Sequence, residues 1–261
     1  MGFFDHSHAL RAAAFACGLL SFEAAALAGP AGLPYGLTFS TETAQPFGLS
    51  VSPVDRGDLH IKWSGVARRL EDERVQLALC DGDREHCAFE AALKFLAIVD
   101  SGRQHEGRAR LGQINRAVNL AIRAVDDFAQ FGELDVWSSP LVTFYRGAGD
   151  CEDYAIAKYV ALSMAGIAAE DLRIVVMTDN IRHEGHAVAA VRLDGHWLML
   201  DNMRMAMIED SYVRNYRPLF VIGQTGVMRY SDSPVMAAAS VQQATPVVAF
   251  NSETGRIAAS N

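Results

Sequence analysis

"HAVAAVRLDGHWLMLD", His186 to Asp201, decides the architecture of this chain. Two runs of apolar and β-branched residues flank Asp194-Gly195, a dipeptide that accepts the positive φ angles of a type I′ turn and so closes a tight antiparallel hairpin. A two-residue turn pairs Leu193 with His196, Val188 with Asp201 and His186 with Met203. Strand side chains alternate faces, so His186, Val188 and Ala190 project on the same side as Met199 and Asp201. His186 and Asp201 become diagonal neighbours, roughly 7 Å apart along the backbone, a gap that their side chains can close to a hydrogen bond. His196 falls on the other face, and His183 precedes the strand. A three-residue loop would reverse this parity.

Outward from the hairpin, "LRIVVM" (Leu172–Met177) and "PLFVIG" (Pro218–Gly223) read as further strands. Upstream the period changes to that of helices: about Ile61 to Leu79, about Cys87 to Val99, and the long "GRARLGQINRAVNLAIRAVDDFAQF". In that last run Leu111, Ile114, Val118, Ile122, Val125 and Phe128 recur at three- and four-residue steps. "GELDVWSSP" breaks the pattern, and a loop is expected up to Gly149. Asp150 to Met164 is helical again, with Gly166 as its stop, and its apolar residues wrap most of the circumference, as in a helix enclosed by the fold. Helices first and an antiparallel sheet second predict an α+β protein.

The chain has 261 residues, 50% of them hydrophobic, enough to bury a full core. Its 31 acidic against 23 basic residues give a net charge of −8. With no Lys/Arg-rich run this argues against nucleic-acid or anionic-membrane partners. The amino terminus reads as an export signal over residues 1–28: Arg11, the apolar stretch Ala12–Phe22, and Ala26 and Ala28 as small-residue cleavage positions. The stretch is shorter than the ~20 apolar residues of a spanning helix. The mature protein is therefore expected outside the cytoplasm and not membrane-spanning. Residues 29–58 read as an extended lead-in, 59–230 as one domain, and 231–261 as a tail expected to lack order.

Loss of Cys17 with the signal leaves Cys80, Cys87 and Cys151. In an exported chain an odd number implies one bridge and one free thiol, and the proximity of Cys80 to Cys87 leaves Cys151 over. A buried, inert Cys151 is the alternative. Its surroundings, "RGAGDCEDYAIAKY" (Arg146–Tyr159), favour chemistry. Gly149 permits a tight turn, Asp150 is a good N-cap and Asp153 stands at the reciprocal capping position, so Cys151 falls in the first helical turn. Free amides and the helix dipole there can lower a thiol pKa from about 8.5 to about 3.5–7.5. A nucleophilic thiol needs a base and an orienting group, and the hairpin offers His186 and Asp201. Either residue alone has an ordinary structural explanation; with a free cysteine at a helix start the three point to thiol catalysis.

"GAGDCEDYAIAKY", "HAVAAV" and "LMLDNM", in that order and preceded by "INRAVN" and "DVWSSP", resemble the bacterial transglutaminase-like cysteine proteinases. That family includes the LapG group of periplasmic proteases, which clip biofilm adhesins off the outer membrane. The resemblance covers about Ile114 to Met203 and extends more loosely over the preceding helices. It implies a papain-like, transglutaminase-like α+β fold, with a helical layer on an antiparallel sheet and the nucleophile at the start of a central helix. It further implies Cys151 as nucleophile, His186 as base then acid, and Asp201 as orienter. A surface adhesin as substrate and an inner-membrane cyclic-di-GMP receptor that sequesters the protease are implied in the same way.

Asp150, Glu152 and Asp153 put negative charge beside a sulfur that must itself become negative, and like charges disfavour the thiolate. Capping accounts for Asp150 and Asp153 but not Glu152. Oxygen-only ligands bunched in one turn suit Ca²⁺, which would offset them; the resembling proteases are calcium-dependent through the acids flanking the cysteine. Zinc is disfavoured by the absence of Cys-x-x-Cys or His-Glu-x-x-His spacing. The reading is thus a calcium-dependent cysteine endopeptidase. A transglutaminase-type acyl transferase on the same three residues, and a non-catalytic protein ordered by calcium, remain the alternatives.

Overall fold

The computed structural model describes residues 45–234; the expected signal, most of the lead-in and the tail beyond Pro234 lie outside them. Strand β1 (Leu49–Pro53) is followed by helices α1 (Asp58–Gly82), α2 (Glu90–Arg103) and α3 (Gly107–Ala121). A two-residue strand β2 (Arg123–Ala124), helices α4 (Asp127–Phe131) and α5 (Pro140–Arg146), and strand β3 (Ala148–Gly149) lead to the central helix α6 (Cys151–Met164). The remainder is β4 (Leu172–Asp179), β5 (Glu184–Leu193), β6 (His196–Leu200), β7 (Ile208–Glu209), β8 (Tyr216–Gly223) and β9 (Gly226–Pro234).

Seven strands form one sheet in the order β1-β9-β8-β4-β5-β6-β7, and every neighbouring pair in it is antiparallel. The β5–β6 hairpin has the expected register, Leu193 opposite His196 through Ala189 opposite Leu200. Asp194 (φ 52°) and Gly195 (φ 83°) both take positive φ, as a type I′ turn demands. β1 lies within the stretch read as lead-in, and β9 runs four residues into the stretch read as tail. These two pair with each other at the sheet edge because each offers an alternating face, too short a signal to stand out in polar sequence.

Two further differences concern the helices. The 107–131 run is not one helix: the chain turns extended at Ile122, and the side chain of Asp126 caps a new short helix by accepting from the Ala129 N–H (2.9 Å). The apolar period continues through the break, but its last member, Phe128, is 64% exposed. The stretch read as a loop to Gly149 contains α5, started by Ser139-Pro140.

The larger core cluster lies between α2, α3, α5, α6 and the inner faces of β5 and β6, with Phe95, Leu96, Ile114, Leu162 and Leu200 at its centre. Ala187, Ala189 and Val191 of β5 face the helices, whereas Val188 and Ala190 pack on the other side of the sheet with Met177, Trp197 and Met199. Small residues on the inner face of β5 let α6 approach closely. Cys80 and Cys87 form a disulfide joining the end of α1 to the start of α2, and Cys151 is free. The bridge spans a sequence separation of 7, so replacing both cysteines with alanine is expected to cost about 2 kcal/mol, read as a lower urea midpoint.

Candidate active site

Cys151 is the first residue of α6, after an N-cap at Asp150. The turn that presents it is crowded. A Cβ at Gly149 would lie 2.8 Å from the Asp153 Cβ, so only glycine fits there. Asp153 is buried; its Oδ1 accepts from the Ser138 N–H (2.8 Å), and its carboxyl also accepts from the Asp150 N–H, the reciprocal half of a capping box. The Asp150 side chain makes no cap bond of its own.

Pairing between β5 and β6 ends at Ala189 and Leu200. In this register the N–H of Ala187 points toward the edge beyond the end of β6, beside Cys151, where it offsets a small part of the burial that raises the thiol. The neighbouring residue, His186, is 6% exposed, and its Nε2 lies 3.0 Å from Oδ1 of Asp201, itself 4% exposed. Asp201 Oδ1 also accepts from the Met203 N–H (3.0 Å) and Oδ2 from the Tyr216 hydroxyl (3.2 Å). The Tyr216 ring lies 5.3 Å from the imidazole, covering it. Burial pushes the Asp201 carboxyl up, but the His186 hydrogen bond and charge, the Met203 N–H and Lys158 together hold it below the usual carboxylate range. The Asp201 carboxyl is therefore favoured in its ionised form, an acceptor beside Nε2.

Two clefts meet at Cys151, Gly185 and His186. One, of about 660 Å³, is walled by Val54, Leu59, Trp137, Val176 and Phe220; the other, of about 510 Å³, is more polar and includes Asp179, Arg182, Glu184 and Asn202. Cys151 and His186 thus line both clefts.

The acids are only partly where their spacing put them. Asp150 and Glu152 join Asp127, which sequence reading missed, in a group whose oxygens lie within 4.8 Å of one another; Asp153 is turned away to Ser138. Asp127 arrives because β2 and β3 pair in parallel, Ala124 opposite Gly149, with the Val125 N–H donated to the Gly149 carbonyl (3.0 Å). No local signal joins two acids so far apart in sequence. Asp127 accepts a short bond from the Val136 N–H, and Asp135 pairs with Lys62 and with Trp137 Nε1 (2.8 Å). "DVWSSP" is thus the loop that braces the acids.

Burial raises the Asp150 carboxyl to about 6, partly countered by its bond with Glu152, and raises Asp153 to about 7. Burial and then the Asp150 charge raise Glu152 to about 9. Burial, followed by Glu152, which takes the thiol hydrogen bond (3.2 Å), pushes Cys151 well above the ordinary thiol range. The helix start alone predicts the reverse; burial and the acids outweigh the dipole, whose effect is at most about 2 kcal/mol.

A family model, bacterial transglutaminase-like cysteine proteinase, matches residues 76–224, more than half of the chain. The chain belongs to this family. It is a cysteine protease, and its fold is of the papain-like, transglutaminase-like α+β kind. LapG of Legionella pneumophila has the same fold at 22% identity and a TM-score of 0.50, covering 60% of this chain and 86% of that one. EGTA-treated LapG matches at 21% identity, TM-score 0.50, over 63% and 91%, and the calcium-bound form at 22%, TM-score 0.49, over 59% and 84%. No curated protein sequence matches.

The raised carboxyls of this proteinase carry a sign. Each supplies stability that is complete below its ordinary pKa and is lost as pH rises through the folded values of about 6, 7 and 9. In chelator, the thermal midpoint is expected to fall from about pH 5 to about pH 9, and Glu152→Gln should flatten the upper part of that fall in a calorimetric pH series.

Proposed function

We propose that this proteinase is a calcium-dependent periplasmic endopeptidase that uses Cys151, His186 and Asp201 as a catalytic triad and cuts a large surface adhesin near its amino terminus. The observation that carries the reading is the buried His186–Asp201 pair, joined through Nε2, in a cleft also lined by a free thiol at a helix start.

With Nε2 protonated and bonded to Asp201, Nδ1 is the nitrogen left to act as base. It takes the Cys151 proton as the sulfur bonds to the scissile carbonyl carbon. The electron pair displaced onto oxygen is received by the Cys151 N–H, a free amide at the start of α6. The oxyanion collapses, the C–N bond breaks and the His186 proton goes to the leaving amine. Water, giving a proton to Nδ1, then attacks the thioester; the C–S bond breaks and the proton returns to sulfur.

Asp127, Asp150 and Glu152 fit a hard cation. All their donors are oxygens, and Oδ1 of both Asp127 and Asp150 is buried without a hydrogen-bond partner. Asp153 is committed to backbone N–H groups and is not in this set. Ca²⁺ held there by Asp127, Asp150 and Glu152 would supply positive charge that lets the three carboxylates ionise beside the thiol.

The Cys80–Cys87 disulfide supports an oxidising compartment, in keeping with the export signal read over residues 1–28. The adhesin substrate and the cyclic-di-GMP receptor that would sequester the protease rest on the motif resemblance.

The test is incubation of the mature chain with the amino-terminal region of a candidate adhesin. Cleavage in calcium, loss in EGTA and recovery on readdition are expected, with none from Cys151→Ala and a loss of at least ~10³-fold from His186→Ala. A cross-linked product that outcompetes hydrolysis when an amine is added would replace protease by acyl transferase. Equal iodoacetamide rates at Cys151 in the parent and His186→Ala would remove the thiol–imidazole pair altogether.

A further inference from the structure

Asp201 orients His186, yet the sheet does not hold Asp201. The β5–β6 ladder ends at Leu200, and residues 201–207 cross to β7 without a strand partner. The main chain on each side of Asp201 is held instead by a side chain from a helix. Lys158 of α6, fully buried, donates from Nζ to the Leu200 carbonyl (3.0 Å). Asn119 of α3 donates from Nδ2 to the carbonyls of Asp201 (3.0 Å) and Arg204 (3.1 Å). One turn earlier, buried Asn115 donates to the Met205 carbonyl (3.2 Å). The carbonyls before and after the Asp201 Cα are therefore both fixed, and the turn beyond is pinned.

We propose that Lys158 and Asn119 are positioning residues for catalysis, acting through the main chain of Asp201 to hold its carboxylate against His186; the proposal rests on the triad reading above. Two features separate this role from general packing. Lys158 stands seven residues after Cys151, two turns along the same face of α6, so a single rigid helix carries the thiol at one end and sets the orienting carboxylate with its interior. Burying a lysine amine to reach one carbonyl is also a costly way to fill space, since burial lowers its pKa to about 7 against the pull of Asp201; an apolar side chain would fill the space without the desolvation. Asn115 and Asn119 lie four residues apart on one helix face. "INRAVN", a motif with no chemistry of its own, is thereby explained as the clamp on the segment that carries Asp201.

The experiment is a double-mutant cycle on the calcium-loaded chain, using p-nitrophenyl acetate turnover and thermal unfolding. Lys158→Met keeps the stem and removes the donor and charge. It is expected to lower kcat about 10- to 100-fold with KM within about twofold, at a thermal midpoint equal to or above the parent. In an Asp201→Ala background the same substitution is expected to change kcat by less than about twofold, because there is no carboxylate left to position. Asn119→Ala, which cuts the other tether and leaves α6 intact, is expected to show the same pattern if Lys158→Met does not fold. An equal kcat loss in both backgrounds, or a lowered midpoint with parental kcat, overturns the proposal. If Asp201→Ala itself turns over at the parental rate, the triad reading has failed; if Asp201→Ala is slow while Lys158→Met and Asn119→Ala are both parental, only the positioning role has.

Discussion

The end of β6 at Leu200 is the constraint from which the site follows. A strand that stops pairing halfway along its neighbour leaves backbone groups of that neighbour exposed to an interior, where an unpaired amide is expensive. The Ala187 N–H is such a group, and Cys151 packs beside it. Because α6 packs on the alanine-rich inner face of β5, its first residue arrives at the vacated edge. Because the chain leaves the ladder after Leu200, the Asp201 carboxylate reaches the imidazole of His186 from outside a ladder position. A helix start thus brings the thiol, and the end of one strand the imidazole–carboxylate pair, to the same cleft.

The opening is bordered by charge that the fold alone does not neutralise. Asp127, Asp150 and Glu152 are held close by β2–β3 pairing and by the 135–140 loop, and burial drives their protons on. Their effect on Cys151 is adverse, since Glu152 both repels the thiolate and accepts from the thiol. Such an arrangement costs stability near neutral pH and keeps the Cys151 thiol protonated. On the other side of the imidazole the balance is opposite: Asp201 gathers donors from His186, Met203 and Tyr216 and stays ionised.

Reading the elements from sequence succeeded where burial is one-sided or complete. The four strands with apolar runs, the helix at 151–164 and the hairpin register were legible because period and turn chemistry agree. The reading failed where the period persists without the structure, as at Ile122, where an Asp126 cap and the extended β2 interrupt an unbroken apolar pattern. It failed again at α5, whose seven residues are too few to display a period.

The site divides in the same way. The sequence by itself determined that Cys151 begins a helix and is free of a bridge, and that the hairpin register returns the chain toward His186, although the expected pairs Val188–Asp201 and His186–Met203 lie beyond the end of the ladder at Leu200. Those properties depend on neighbours a few residues away: a cap, a pair of cysteines, a two-residue turn. Only the tertiary structure decided that Asp127 joins Asp150 and Glu152 while Asp153 does not, that Tyr216 closes over the imidazole, and that Lys158 and Asn119 hold the chain around Asp201. Each of these is a contact between segments far apart along the chain, set by strand pairing and helix packing, and a carboxylate or an amide carries no mark in its own local sequence of the distant backbone it will meet.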